Sequence, residues 1–396
     1  MSLLDGASSI DIFSAANQGS AHLQSLANNA LKSGIDLYMK KDFRGAIKEF
    51  TRAIGLAPDS AYSVDAANYM AKGYLNMDDP ENAIKAYKTG IRLNPYRDDT
   101  HTQLGNLLFA EERFDEAIDE YKEAVRLNPS ASNYYTLGQG FLAADNYSSA
   151  ATQFNKVLSM APTDPAGNHG LGLTYSRQGR YEDAIRQFEI AIQKDGKFYD
   201  AYAEMGYAYA DMGMMDEAQK QVDYLGHVDP MLADAVSRYM YKVDPPKMKY
   251  AQAGSTFLYT MPNDTNVSAL DSYLKNADAS KSFTMVFQFD KQMDRESIEN
   301  RFNWQIGRST QYGPGQAYNF GLPIPSTEVT VSPLPENVYW NEEELSATVT
   351  FSIQQNSTAD GTIDPSHIEF KFTGKDMYGN SMDDKFDQYI GFSGVA

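Results

Sequence analysis

At 396 residues the chain is too long for one ordinary core, and about 150 residues per domain predicts two or three units. Lys and Arg number 34 against 53 Asp and Glu, a net charge of −19 that excludes nucleic-acid backbones and anionic membrane surfaces unless a local basic patch overrides the field. No such patch is evident, and the absence of cysteine excludes disulfides, thiolate metal sites and Cys nucleophiles.

Residues 1–26 are poor in charge and rich in Ser, Ala and Asn, which fits a tail, a capping helix or an export signal of a non-cleaved kind. The first Lys is Lys32 and no apolar h-region precedes it, so no cleavable secretory signal is expected. Nor does any stretch approach the ~18 apolar residues of a membrane span, and direct membrane insertion is not expected.

From residue 27 the chain repeats itself. FRGAIKEFTRAIGLAPD (43–59), PENAIKAYKTGIRLNP (80–95), FDEAIDEYKEAVRLNP (114–129), YSSAATQFNKVLSMAP (147–162) and YEDAIRQFEIAIQKDG (181–196) share one spacing. A degenerate sixth, MDEAQKQVDYLGHVDP (215–230), has Val222 in place of the aromatic. The matching alanines, Ala46, Ala83, Ala117, Ala150, Ala184 and Ala218, lie 37, 34, 33, 34 and 34 residues apart. Upstream of each sits a small residue, at Gly34, Ala71, Gly105, Gly138, Gly172 and Gly206, followed three residues later by a large one. Small residues let two helices approach closely, and large ones fill the gap beside them.

Small, aromatic, small and Pro positions recurring in register resemble the tetratricopeptide repeat (TPR) family. Six repeats are placed at 27–60, 64–97, 98–130, 131–164, 165–198 and 199–232, with MLADAVSRYMYKV (231–243) as a helix covering the end of the stack. Departures are the missing Trp at the fourth position, where repeat three has His101, and Gly196 where Pro is usual.

This resemblance implies an all-α solenoid, a right-handed superhelix of helix pairs, with a concave groove lined by the first helix of each pair. Carried over residue by residue, the groove would include Asn68, Lys72, Asn76, Thr102, Asn106, Tyr135, Gln139, His169, Arg177 and Tyr207. Amides can bond an extended peptide backbone without demanding a charge, and Tyr supplies rigid contact area. Some relatives grip a terminal carboxylate with paired Lys and Asn; Leu31 and Ile35 stand at those places in repeat one, so that specificity is not expected.

Near Asp244-Pro245-Pro246 the helical period stops. Residues 244–280 read as a linker with a first strand, YAQAGSTFLYTM, and a helix, VSALDSYLKNA. Beyond, SFTMVFQFD (282–290), STEVTVSPL (326–334), LSATVTFSI (345–353) and HIEFKFTG (367–374) alternate apolar with polar residues between turn-forming clusters, which predicts an antiparallel sandwich over 281–396. FDKQMDRESI and HIEFKFTGKDMYGN together resemble bacterial Ig-like domains of surface and adhesion proteins. NEEELS (341–346) and the Tyr/Gly-rich loop 311–321 depart from that pattern.

Enzyme chemistry finds little support. No GxSxG elbow accompanies the five His, and neither a phosphate loop nor an HExxH zinc motif occurs. Asp290 and Asp294 fit a strand end and a turn or helix start. His101 falls at a packing position. Asp360, Asp364 and Glu369, or Asp376, Asn380, Asp383 and Asp384, offer the hard oxygens calcium prefers without EF-hand spacing, and solvated turn carboxylates are the default reading. No cofactor is expected. The chain reads as a multidomain α + β, non-catalytic scaffold that binds another protein or peptide in its groove, with the Ig-like unit docking or spacing it. A structural part of a bacterial secretion, appendage or envelope assembly is the alternative, with a carbohydrate-active enzyme behind it. An exported or envelope location without a cleavable signal is favoured over the cytoplasm, and the oligomeric state is left open.

Overall fold

A computed structural model describes residues 9–311 and 315–391, with side chains from residue 19 onward; the first eight residues of the segment 1–26, expected as a tail or capping helix, lie outside the described residues. The chain divides into two units between Val236 and Ser237.

The first unit consists of antiparallel helix pairs: α1 (Ser9–Met39) with α2 (Phe43–Leu56), α3 (Ser63–Leu75) with α4 (Pro80–Leu93), α5 (Asp98–Ala110) with α6 (Phe114–Leu127), α7 (Ala131–Ala143) with α8 (Tyr147–Met160), α9 (Ala166–Arg177) with α10 (Tyr181–Lys194), and α11 (Tyr199–Asp211) with α12 (Met215–Val228). Helix α13 (Pro230–Val243) follows and runs across the division. The region 1–26, open between tail and capping helix in the sequence, contributes from Ser9 the leading turns of α1.

Each pair closes through one turn. Its penultimate residue has positive φ (Lys41, Asp78, Glu112, Asp145, Gly179, Gly213), and the next amide donates back to the first helix, as Asp42 N does to Leu37 O at 2.9 Å. This is the left-handed cap that frees a helix end to reverse. Asp42, Asp79 and Asn146 then cap the second helix through their side chains.

The repeating alanines are the most buried points of the stack: Ala46, Ala83, Ala117, Ala150, Ala184 and Ala218 are all 0% exposed. In four of the pairs an aromatic ring of the second helix lies against the glycine of the first: Phe50 on Gly34, Tyr121 on Gly105, Phe154 on Gly138 and Phe188 on Gly172. A Cβ on Gly105 would meet the Tyr121 ring at 2.5 Å, and one on Gly172 the Phe188 ring at 2.4 Å. Glycine is therefore required there for space. Helices α1 and α3, α5 and α7, α7 and α9, and α9 and α11 also touch, which puts the first helices on the inner side of the curve.

The second unit carries two antiparallel sheets. One is ordered β1 (Met248–Ala251), β3 (Ser280–Phe289), β6 (Ser346–Gln354), β5 (Asn337–Asn341), and the other β4 (Trp304–Arg308), β8 (Ile368–Phe372), β9 (Gln388–Tyr389). A two-residue ladder joins β2 (Thr265–Asn266) to β7 (Thr362–Ile363). Alternation decides which side chains meet: Phe283, Met285, Phe287 and Phe289 share one face of β3, and the Phe287 ring lies 5.7 Å from Trp304, 5.2 Å from Phe370 and 5.6 Å from Tyr389 of the other sheet. Both sheets thus feed one core.

Here three expectations need correction. The first strand is only Met248–Ala251, because the chain turns at Gly254. The helix expected over VSALDSYLKNA is two 3-10 turns, each started by an Asx residue, Asn266 and Asp271, that bonds the amide two residues on. STEVTVSPL forms only isolated bridges, at Glu328 and Val331, while Trp304–Arg308 and Asn337–Asn341 are strands the alternation did not single out. NEEELS is the turn of the β5–β6 hairpin, held by Asn341 Oδ1 accepting from the amides of Glu343 and Glu344.

Candidate functional site

The residues expected in the groove fall on α3, α5, α7, α9 and α11, the inner helices, but packing divides them. Lys72, Asn76, Asn106, Gln139 and Arg177 are exposed. The Lys72 ammonium lies 5.5 Å from the Tyr69 ring centre, Asn76 donates to the Tyr38 hydroxyl at 2.9 Å, and Asn106 accepts from the Tyr121 hydroxyl at 2.8 Å. The last two bonds tie the inner face to neighbouring helices and orient its amides. Thr102 is half-buried and donates to Asp98 O at 3.0 Å; Tyr135, also half-buried, has its ring 5.6 Å from Phe154; Tyr207 is half-buried.

Two residues differ from expectation. Asn68 is buried in the seam between repeats, donating to Thr100 Oγ1 at 3.1 Å, so it braces the stack. His169 is 9% exposed, its ring 4.9 Å from Phe198 and 5.8 Å from Phe188, and neither ring nitrogen has a hydrogen-bond partner among the described residues. Burial holds its pKa below the ordinary value, so the ring is neutral near pH 7. Leu31 and Ile35 pack on the core beside Phe50, which leaves no Lys/Asn clamp in repeat one.

Sequence reasoning missed two acids on α11. Glu204, half-buried, has its carboxyl pushed up to about 7, chiefly by burial, while Arg177 opposes the shift and Asp200 adds to it. The field of Asp200 also reaches His169 and Tyr135. Asp200 and Glu204 are one helical turn apart, and that spacing was the available signal. It went unused because neither position belongs to the amide and aromatic pattern.

The carboxylates of the second unit are engaged internally. Asp290 accepts from the Lys247 amide at 2.9 Å, and Asp294 caps helix α14 (Arg295–Glu299) through the Ser297 amide at 2.7 Å. Asp376 pairs with Lys291 at 3.0 Å, both fully buried, and Asn380 donates to Asp376 and to Lys242 O. Asp364 holds His367 Nδ1 at 2.6 Å, Asp360 accepts from Asn356 and Thr358, and Asp383 from the Lys385 amide. Glu369 has one oxygen buried without a partner. Among the described residues no group of three or more His, Asp or Glu is placed to hold a metal ion. His101 is buried, with Nδ1 2.6 Å from Glu120, at the packing position expected of it.

Residues 70–132, 102–165 and 169–222, within the helical unit, match the tetratricopeptide repeat family. Among solved structures the chain is similar to a tetratricopeptide repeat protein from Parabacteroides merdae, at 16% identity over 55% of this chain and 88% of that one with a TM-score of 0.49. It is similar also to MamA, at 25% identity over 43% and 93% of the two chains with a TM-score of 0.39. A third is YrrB, a TPR protein with an unusual peptide-binding site, at 21% identity over 48% and 97% with a TM-score of 0.37. No curated protein matches the chain.

Proposed function

We propose that the helical unit is a non-catalytic interaction scaffold that holds an extended segment of another protein along its inner helices. The strand-rich unit, read as Ig-like, docks or spaces it. The observation that carries the reading is the run of exposed polar side chains, Lys72, Asn76, Asn106, Gln139 and Arg177, on successive inner helices whose other faces are consumed by packing. Such a row offers donors and acceptors at the pace of the stack, which suits an extended backbone with unpaired N–H and C=O groups.

The test is binding of fluorescein-labelled peptides of varied sequence to the full chain, read by anisotropy. Binding lost in the triple substitution Asn106→Ala, Gln139→Ala, Arg177→Ala, with helix content intact by circular dichroism, supports the scaffold. Concentration-dependent self-assembly without peptide capture supports instead a structural part of a larger assembly.

A further inference from the structure

We propose that the strand-rich unit carries a self-complementary docking surface for a second copy of this chain, in which the apolar loop 320–324 of each copy enters a cavity beside β4 of the other. The inference goes beyond the groove reading and concerns a different part of the chain. Three observations carry it.

The first is a protrusion held rigid. Phe320 is 52% exposed, Leu322 60% and Ile324 47%, three large apolar side chains within five residues. Beneath them the backbone is strained: Asn319 and Phe320 both have left-handed dihedrals, at φ 49° and 51°, a region that a Phe rarely adopts. Buried bonds hold that conformation. Asp364, 1% exposed, accepts from the Asn319 amide at 2.8 Å, and the Asn319 side chain accepts from Asn263 at 3.0 Å and donates to Pro323 O at 2.9 Å. Pro323 and Pro325 lack amide donors, so the loop does not extend a sheet edge as a strand, and its side chains are what it offers a partner.

The second is the cavity. About 340 Å³ opens between β4 and residues 328–333, with Ile306, Val329 and Ile368 as its apolar floor and Thr330 and Pro333 at its exposed rim. The loop leaves the cavity wall at Tyr318 and returns to it at Glu328, and the Tyr318 hydroxyl donates to the Glu328 carboxylate. Protrusion and cavity therefore stand side by side, and the bonds at Asn319 keep the loop from folding back into its own cavity. A surface that carries both parts fits a copy of itself about a two-fold axis, each loop filling the other's cavity. The third observation is charge. Residues 309–327 contain no charged side chain in a chain of net charge −19, so two copies repel each other least across this surface. The nearest acid, Glu328, has a side chain only 5% exposed and turned to Tyr318 and Arg308.

The experiment is sedimentation velocity of the full chain from about 1 to about 200 μM. A standard interface buries ~800 Å² per partner, and three side chains with one small cavity give less, so a dimer with a Kd of about 10 μM is expected. Leu322→Ser with Ile324→Ser removes the protrusion. Gly307→Val blocks the cavity from β4, where an added Cβ meets nothing within 4 Å, and Thr330→Tyr blocks it from the rim. Each variant, with the circular dichroism of the parent, is expected to weaken dimerisation about tenfold or more by itself. An equimolar mixture of protrusion-less and cavity-blocked chains regains association, because one intact loop then meets one intact cavity. Dimerisation that persists in the variants, or that the mixture fails to regain, would overturn the proposal. So would a parent that stays monomeric throughout, or one that binds phosphatidylcholine vesicles through Leu322 and Ile324 without dimerising. Peptide capture by the inner helices is read separately by anisotropy, so failure of the dimer leaves the groove reading standing, and failure of the groove leaves the dimer.

Discussion

Val236 fills the place over Gly206 that an aromatic ring fills in four other pairs: its Cγ1 lies 2.7 Å from where a Cβ on Gly206 would stand. The corresponding rings are Phe50 over Gly34, Tyr121 over Gly105, Phe154 over Gly138 and Phe188 over Gly172. The sixth repeat lost its aromatic at Val222, and the following helix, α13, supplies the missing volume. Because each repeat touches only its neighbours, the last one depends on this plug. Val236→Ala is expected to cost roughly 2 kcal/mol, from lost burial and the cavity left behind. Urea denaturation followed by tryptophan-independent circular dichroism at 222 nm reads it, and an unchanged midpoint would show that the plug is dispensable.

Gly172→Ala tests the tight seam directly. The added methyl would stand 2.4 Å from a fully buried Phe188 ring that has nowhere to move, so a loss of about 1–3 kcal/mol is expected. Combining it with Phe188→Leu makes room, and the two costs should then sum to less than their separate values in a double-mutant cycle.

Glu204 links stability to pH. Its folded pKa of about 7 lies above the ordinary 4.5, so between those values the folded chain holds a proton that the unfolded chain has released. Stability from this group is therefore complete below the unfolded value and falls as pH rises toward 7, by about 1–2 kcal/mol after allowance for residual solvent contact. Thermal melts at pH 5 and pH 8 should differ less in Glu204→Gln than in the parent.

The buried Lys291–Asp376 pair anchors the corner of the second unit. Lys291 is 2% exposed and Asp376 1%, and Asp376 also accepts from the amides of Tyr378 and Asn380 in the turn. Removing one partner strands the other charge, so Lys291→Met should cost about 3–5 kcal/mol, whereas Lys291→Met with Asp376→Asn should recover part of it. Chemical denaturation monitored by Trp304 and Trp340 fluorescence distinguishes the two.

Much of this was readable from residue order. The alanines at a 34-residue pace, the Gly-to-aromatic pairing and the alternation in SFTMVFQF name positions whose neighbours are local or repeated, so the pattern itself carries the contact. Of the residues expected along a groove, Lys72, Asn76, Asn106, Gln139 and Arg177 are exposed. Asn68 and His169 are not, since their burial depends on how closely the next helix approaches, which Thr100 and Phe198 decide. In the second unit short strands such as Trp304–Arg308 escaped notice because five residues hold too few alternations to stand out.

Sequence by itself determined the helical repeat, its register and the change of period near residue 244, because periodicity is a property of neighbours along the chain. Tertiary structure alone decided which polar groups remain unpaired. Glu204 and His169 are ordinary residues in the text of the chain, and only the packing of the inner helices draws them partly out of water without supplying a hydrogen-bond partner.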